Sequence, residues 1–244
     1  MSAAIAEPET RIVYPESDGE PMAETQVHLE AMVLLRQALE DFYGDRRDVF
    51  ISTDQFWFWN EGHPEDRLAP DLLVALGVPE KTKAERGSFR AWEENNVVPS
   101  IIFEMASKGT WRNDVKTKYE KYAELGVREY FIFDPLGEFL AKRLTGYRLQ
   151  GSEYLPIVPD DFDVYSSLFG FKLTPEGEMI RLIDSATGRL IPTRRERIEQ
   201  LGEEALDLRE VAEAEKQRAE EAEAKLAKLQ ALLAQHNIPN GNGS

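Results

Sequence analysis

Apolar residues fall into blocks of different period along this chain, and the periods predict the elements. From Glu24, residues Val27, Met32, Val33, Leu35 and Leu39 keep near-helical spacing, run into Phe42 and stop by Gly44, which predicts an amphipathic helix at the start of the folded domain. Val49-Phe50-Ile51-Ser52 and the aromatic run Gln55-Phe56-Trp57-Phe58-Trp59 have strand composition, closed by the turn-rich Asn60-Glu61-Gly62-His63-Pro64. A short apolar strand led by Pro70-Asp71 runs to Leu76, and Ser100 to Met105 reads as a buried strand that holds one carboxylate, Glu104. The polar stretch from Val78 to Asn96 is a long connection. Trp111 to Leu125 predicts a second helix stopped by Gly126, and Tyr130 to Phe133 another buried strand ended by Asp134-Pro135. Tyr147-Arg148-Leu149 and Tyr154-Leu155-Pro156-Ile157 flank Gln150-Gly151-Ser152 as a hairpin, and short strands to about Ile183 would extend a mixed sheet.

The ends differ from this middle. Residues 1–22 are rich in Pro, Glu and Ser without periodicity, the pattern of a flexible arm, and the folded domain is expected over 23–192. Over 193–237, Ile198, Leu201, Ala205, Leu208, Ala212, Glu215, Ala219, Ala222, Leu226, Leu229 and Leu233 alternate three and four residues apart, the a/d spacing of a coiled coil. Alanines and one glutamate weaken that seam. The expected assembly is a homodimer through this helix, against the alternatives of a solvated single helix or one folded back on its own domain. Residues 238–244, Gly- and Asn-rich after the helix, are expected to be disordered.

Composition narrows the chemistry. With 244 residues, 42% of them hydrophobic, the chain can bury one substantial core. It has no cysteine, so disulfides, zinc ribbons and thiol nucleophiles are excluded. The first residues lack the basic and apolar regions of a signal peptide and no stretch is long enough to span a bilayer, so a soluble cytoplasmic protein without membrane contact is expected. The formal charge of −16 opposes encounter with a polyanion, although many acids lie in the tail and the arm, which can stand away from a site.

Candidate chemistry centres on carboxylates. A charged group inside an apolar strand is costly unless a metal or hydrogen bonds compensate it, which singles out Glu104. Asp71 opens its strand after Pro70 and, taken alone, equally suits a turn acceptor. Strand alternation puts Glu104 and Ala106 on one face, opposite Phe103 and Met105. In the following helix Asp114, Lys118 and Tyr122 are four residues apart and share a face, so that by spacing alone Lys118 would be a surface partner of Asp114. His28, on the first helix, is a weaker candidate, expected as a partly exposed helix histidine. The aromatic run from Phe56 to Trp59 could stack bases but suits a core better.

Pro70-Asp71, then Ile102-Phe103-Glu104-Met105-Ala106-Ser107 with Thr110, Asp114, Lys118 and Tyr122, and finally Gly126 to Pro135, together resemble the Uma-two family of restriction endonucleases, a bacterial group within the PD-(D/E)XK superfamily. The likeness starts at about Pro21-Met22-Ala23-Glu24-Thr25 with His28 and reaches the Tyr147 and Tyr154 hairpin. It implies an α/β fold of the mixed α+β kind, a restriction-endonuclease-like core with a mixed central sheet flanked by helices. It implies Asp71 and Glu104 as ligands of Mg²⁺ or Mn²⁺ and Lys118 as a catalytic lysine moved to the helix, because position 106, where the motif has lysine, is alanine. Asp114, Ser107, Tyr122 and His28 are supporting candidates.

The resulting expectation is an endonuclease that hydrolyses phosphodiester bonds of nucleic acid, DNA in the first place. Its rival is a catalytically silent nuclease fold that serves as a binding or scaffold module through the C-terminal helix.

Overall fold

A computed structural model describes residues 12–16, 25–80 and 86–236. Most of the arm expected over 1–22, the Pro21 to Glu24 part of the resemblance and the tail 238–244 lie outside the described residues. Two compact units divide the chain, Met1–Thr193 and Arg194–Ser244.

The first unit begins with helix α1 (Gln26–Tyr43), whose N-cap Thr25 accepts the His28 N–H and whose last turn closes on Gly44 at φ +57°, ψ −131°, a backbone conformation open to glycine and few other residues. Strands follow as β1 (Val49–Thr53), β2 (Trp57–Phe58), β3 (Arg67–Leu68), β4 (Leu72–Leu76), β5 (Phe89–Arg90) and β6 (Ile101–Met105). A helical crossover comes next: α2 (Trp111–Asn113), a π-helical turn (Asp114–Lys118) and α3 (Tyr119–Glu124). Beyond it lie β7 (Glu129–Phe133), β8 (Leu144–Gln150), β9 (Glu153–Ile157), β10 (Tyr165–Ser166), β11 (Phe171–Glu176) and β12 (Met179–Asp184).

The main sheet is mixed, in the order β1-β4-β6-β7-β8-β9. Only β6 and β7 pair in parallel, joined by the helical crossover that such a pair requires; their neighbours are antiparallel. One face packs Leu72, Val74, Phe103, Met105 and Phe131 against α1 residues Met32, Leu35 and Leu39. The other packs Leu73, Ile102, Tyr130 and Ile132 against Tyr122 of α3 and Trp57. Sidedness comes from the two-residue strand period, since even positions of β6 face the crossover and odd positions face α1.

Two expectations about the sheet are corrected. The short strands after the hairpin do not extend the main sheet: β10, β11 and β12 form a separate three-stranded sheet. Phe171, Leu173, Ile180 and Leu182 join the α1 side of the core, so this small sheet covers the helix that covers the large one. The aromatic run yields only β2, paired with β3 and β5 in another small sheet. Trp57 and Phe58 are both fully buried, so this short strand is covered on both faces.

The second unit contains α4 (Arg194–His236), 43 residues of continuous helix. A lone helix of this length leaves the leucines of its a/d stripe without partners, and Leu201, Leu208, Leu226 and Leu233 are exposed.

Candidate active site

Asp71 and Glu104 meet because β4 and β6 run antiparallel with Leu72 opposite Phe103 and Leu73 opposite Ile102. Continuing that register by one residue sets Asp71 beside Glu104. The Asp71 N–H donates to Glu104 Oε2 at 3.3 Å, and Asp71 Oδ2 accepts the Met105 N–H at 2.6 Å. The even-numbered alternation of β6 turns Glu104 towards the crossover, where it is 1% exposed.

The crossover supplies its partners. Tyr122 Oη donates to Glu104 Oε1 at 2.7 Å, and Lys118 Nζ lies 2.8 Å from Glu104 Oε2 and 3.4 Å from Asp114 Oδ1. Lys118 is therefore a partner of Asp114, as its spacing predicts, yet it is no surface residue: its side chain is 13% exposed and its ammonium faces the strand carboxylate. No residue pattern announces the π turn that carries Asp114 to Lys118. Such turns alter helical phase locally and recur at functional sites.

His28 corrects another expectation. Rather than partly exposed, it is buried at 3%, with Nε2 3.5 Å from Asp71 Oδ2. Positions 28, 32, 35 and 39 form the inward stripe of α1, so His28 rather than Val27 begins it, while Val33 is exposed. Ser107 acts locally. Its hydroxyl lies 2.9 Å from that of Thr110 and its carbonyl accepts the Trp111 N–H at 3.1 Å, which shapes the turn leading into α2. Tyr130, not among the sequence candidates, donates its hydroxyl to the Asp114 carbonyl at 3.0 Å. Its place was legible, because residue 130 aligns with 102 and shares the face of Glu104.

Charge is unbalanced here. Asp71, Glu104 and Asp114 all act on the one lysine, Lys118, and each holds its ammonium in the charged form, more than offsetting the burial that opposes it. Burial is the largest influence on Glu104; together with the charges of Asp71 and Asp114 it outweighs Lys118, and the carboxyl is pushed up to about 8. Asp114 is also raised, by burial first and then by Asp71 against the pull of Lys118. For Asp71 burial is again the largest influence and disfavours charge, but hydrogen bonding to His28 and the Lys118 ammonium outweigh it and leave its pKa below the usual value.

A buried cluster with surplus negative charge and oxygen donors suits a small hard cation. Among the described residues no three His, Asp or Glu side chains are placed to share one ion. Mg²⁺ commonly takes one or two carboxylates and completes its shell with water and substrate phosphates, and Asp71 with Glu104 fits that sparse pattern.

The family model described as "Putative restriction endonuclease" matches residues 2–176, well over half of the chain. The chain belongs to the Uma2 family. In this Uma2 protein the match spans both carboxylates, the π turn and the parallel β6–β7 pair. The chain is also similar in structure to a "putative nuclease belonging to DUF820" from Anabaena variabilis, at 15% identity and a TM-score of 0.40, over 58% of this chain and 73% of that one. No curated protein matches it.

Proposed function

We propose that this Uma2 protein is a metal-dependent endonuclease that hydrolyses phosphodiester bonds in nucleic acid, with DNA as the first substrate to test. The observation that carries the reading is Lys118, whose ammonium reaches Glu104 Oε2 at 2.8 Å from a neighbouring helix, although the strand position two residues after Glu104 is alanine. Family membership supports a nuclease. The choice of metal, of DNA and of the acting residues is our inference.

Asp71 and Glu104 would hold Mg²⁺ or Mn²⁺, which would supply Lewis-acid polarisation of a phosphoryl oxygen and a lowered pKa for water. His28 helps keep Asp71 ionised, and the Met105 N–H fixes one of its oxygens. Tyr122 pins Glu104 from the buried side. Lys118 presents positive charge where the attacking water is to be oriented and where negative charge grows on the phosphate. The test is cleavage of single-stranded, double-stranded and branched DNA and of RNA, with Mg²⁺ or Mn²⁺ and with chelator. Metal-dependent products are expected, and a chain that cuts none of them overturns the reading.

One observation favours the rival, a silent scaffold. The tail carries eleven acids against eight bases, so roughly −13 of the formal charge stays on Met1–Thr193, and the field of that unit opposes a polyanion. A local cation at the carboxylates reduces this repulsion where it matters.

Metal binding should depend on pH in a defined direction. With Glu104 pushed up to about 8, an incoming cation must displace its proton at lower pH. Apparent Mg²⁺ affinity is expected to fall about tenfold for each pH unit below about 8 and to level off above it. Calorimetric titrations in buffers of different ionisation enthalpy would show a released proton at pH 7; a pH-independent affinity contradicts the assignment.

We extend the proposal to a cytoplasmic homodimer joined through α4. No helix among the described residues is long and apolar enough to cross a membrane. Sedimentation of the intact chain is expected to give twice the monomer mass, and a chain ending at Thr193 the monomer. Equal monomer masses remove the dimer.

A further inference from the structure

Just outside the carboxyl ends of β6 and β7 lies a cavity of about 160 Å³, lined mainly by apolar atoms, Ala106, Pro135, Leu136 and Phe139 among them, with His28, Ser107, Lys108 and Glu138 also in its lining. Clefts beyond the carboxyl ends of parallel strands are where open α/β sheets place ligands. This one adjoins the site through two residues. His28 has Nε2 3.5 Å from Asp71, and Ala106 follows Met105, whose N–H binds Asp71.

The cavity is preformed on its far side. Buried Asp134 accepts the N–H groups of Gly137 (2.8 Å), Phe139 and Leu140 (2.9 Å), so one carboxylate fixes the loop that carries Pro135, Leu136 and Phe139. Arg143 adds a hydrogen bond to the Gly177 carbonyl at 2.7 Å. Ala106, itself buried, contributes a small side chain to the lining.

We propose that this cavity receives a pyrimidine base of the substrate strand, from the nucleotide beside the scissile phosphate, and so sets a base preference at the cut. The inference rests on the nuclease reading above. Size favours one ring: an apolar protein cavity of about 150 Å³ accommodates benzene, whereas a fused purine needs more room. A base there would be held mainly by apolar contact, and Phe139 is the aromatic residue of the lining.

The experiment has two arms, both on the full chain. In the first, binding of thymidine, uridine and deoxyadenosine 5′-monophosphates with Mg²⁺ is followed by NMR. Both pyrimidine nucleotides are expected to bind at least tenfold tighter than the purine, with Ala106 and Leu136 signals shifting; equal affinities or no detectable binding overturn the cavity assignment. Leu136→Trp, at an exposed lining position, is expected to weaken thymidine monophosphate at least tenfold with its circular dichroism and melting intact, and Phe139→Ala, which widens the cavity, to narrow the discrimination against the purine. Unchanged affinities in both variants overturn it.

In the second arm a randomised oligonucleotide pool is cut and the ends sequenced. A pyrimidine at one fixed position beside the cut is expected in DNA, in RNA or in both, and the chain that cuts without bias loses the cavity but keeps the nuclease. Selective pyrimidine binding by a chain that cuts nothing keeps the cavity and loses the nuclease.

Discussion

Replacing Glu104 with alanine is expected to lower metal-dependent cleavage by about a thousandfold or more, the scale on which removal of a group acting in the transition state is felt. The carboxylate holds two positions at once. It would be half of the metal site, and its Oε2 is what draws the Lys118 ammonium inward. Lys118→Met keeps most of the aliphatic stem but removes the charge, and should cost roughly a hundredfold to a thousandfold in kcat with less effect on metal affinity. Tyr122→Phe should cost about tenfold, since Glu104 keeps its other partners and only its orientation relaxes. Glu104→Ala and Tyr122→Phe are expected to stay folded, since Lys118 still faces Asp114, whereas Lys118→Met leaves two buried carboxyls without their cation and is expected to melt earlier while remaining folded at assay temperature. Steady-state cleavage with circular dichroism alongside decides the matter. Variants at Glu104 and Lys118 that cut as well as the native chain would sink the catalytic assignment.

The largest stability loss is expected from Arg86→Ala, outside the candidate site. Arg86 Nε lies 2.9 Å from Glu94 Oε1 and Nη2 3.0 Å from Oε2, and both side chains are almost fully buried. The same guanidinium donates to the Pro79 carbonyl at 2.6 Å and stacks over Phe50. Truncation leaves the Glu94 carboxylate buried without this partner, at a cost of about 3–5 kcal/mol, whereas replacing both residues by apolar ones of similar volume is often near neutral. Urea unfolding of Arg86→Ala and of the double variant Arg86→Met with Glu94→Leu measures both. A single-variant loss below about 1 kcal/mol would mean that water reaches the pair.

That ion pair also shows why part of the fold was illegible. Val78 to Asn96 reads as a polar connection, yet Phe89 and Ala91 are buried within it beside Arg86 and Glu94. Charge suggests a solvated loop, and no periodic pattern reveals that opposite charges will cancel inside. Elsewhere period and burial agree. Ile101 to Met105 and Tyr130 to Phe133 are continuous apolar runs and form the central parallel pair. Glu104 was visible because a lone carboxylate in such a run has few innocent explanations. Lys118 was visible only through family resemblance, since i, i+4 spacing to Asp114 gave it an ordinary surface role. For His28 the spacing errs by one position of the α1 stripe, which turns a buried neighbour of Asp71 into a partly exposed residue.

The π turn from Asp114 to Lys118 implies an unusual tolerance profile for this helix. A turn widened by one residue shifts the phase between the upstream and downstream segments, so the aim of Lys118 and Tyr122 at Glu104 is set by the number of residues there rather than by their identity. Val115, Lys116 and Thr117 are all exposed and can change type at little cost. Deleting any one of them would swing the upstream residues by about 100° relative to Lys118, taking Asp114 off the shared face. Chains descended from this one would therefore vary freely in composition across the turn while keeping its length fixed.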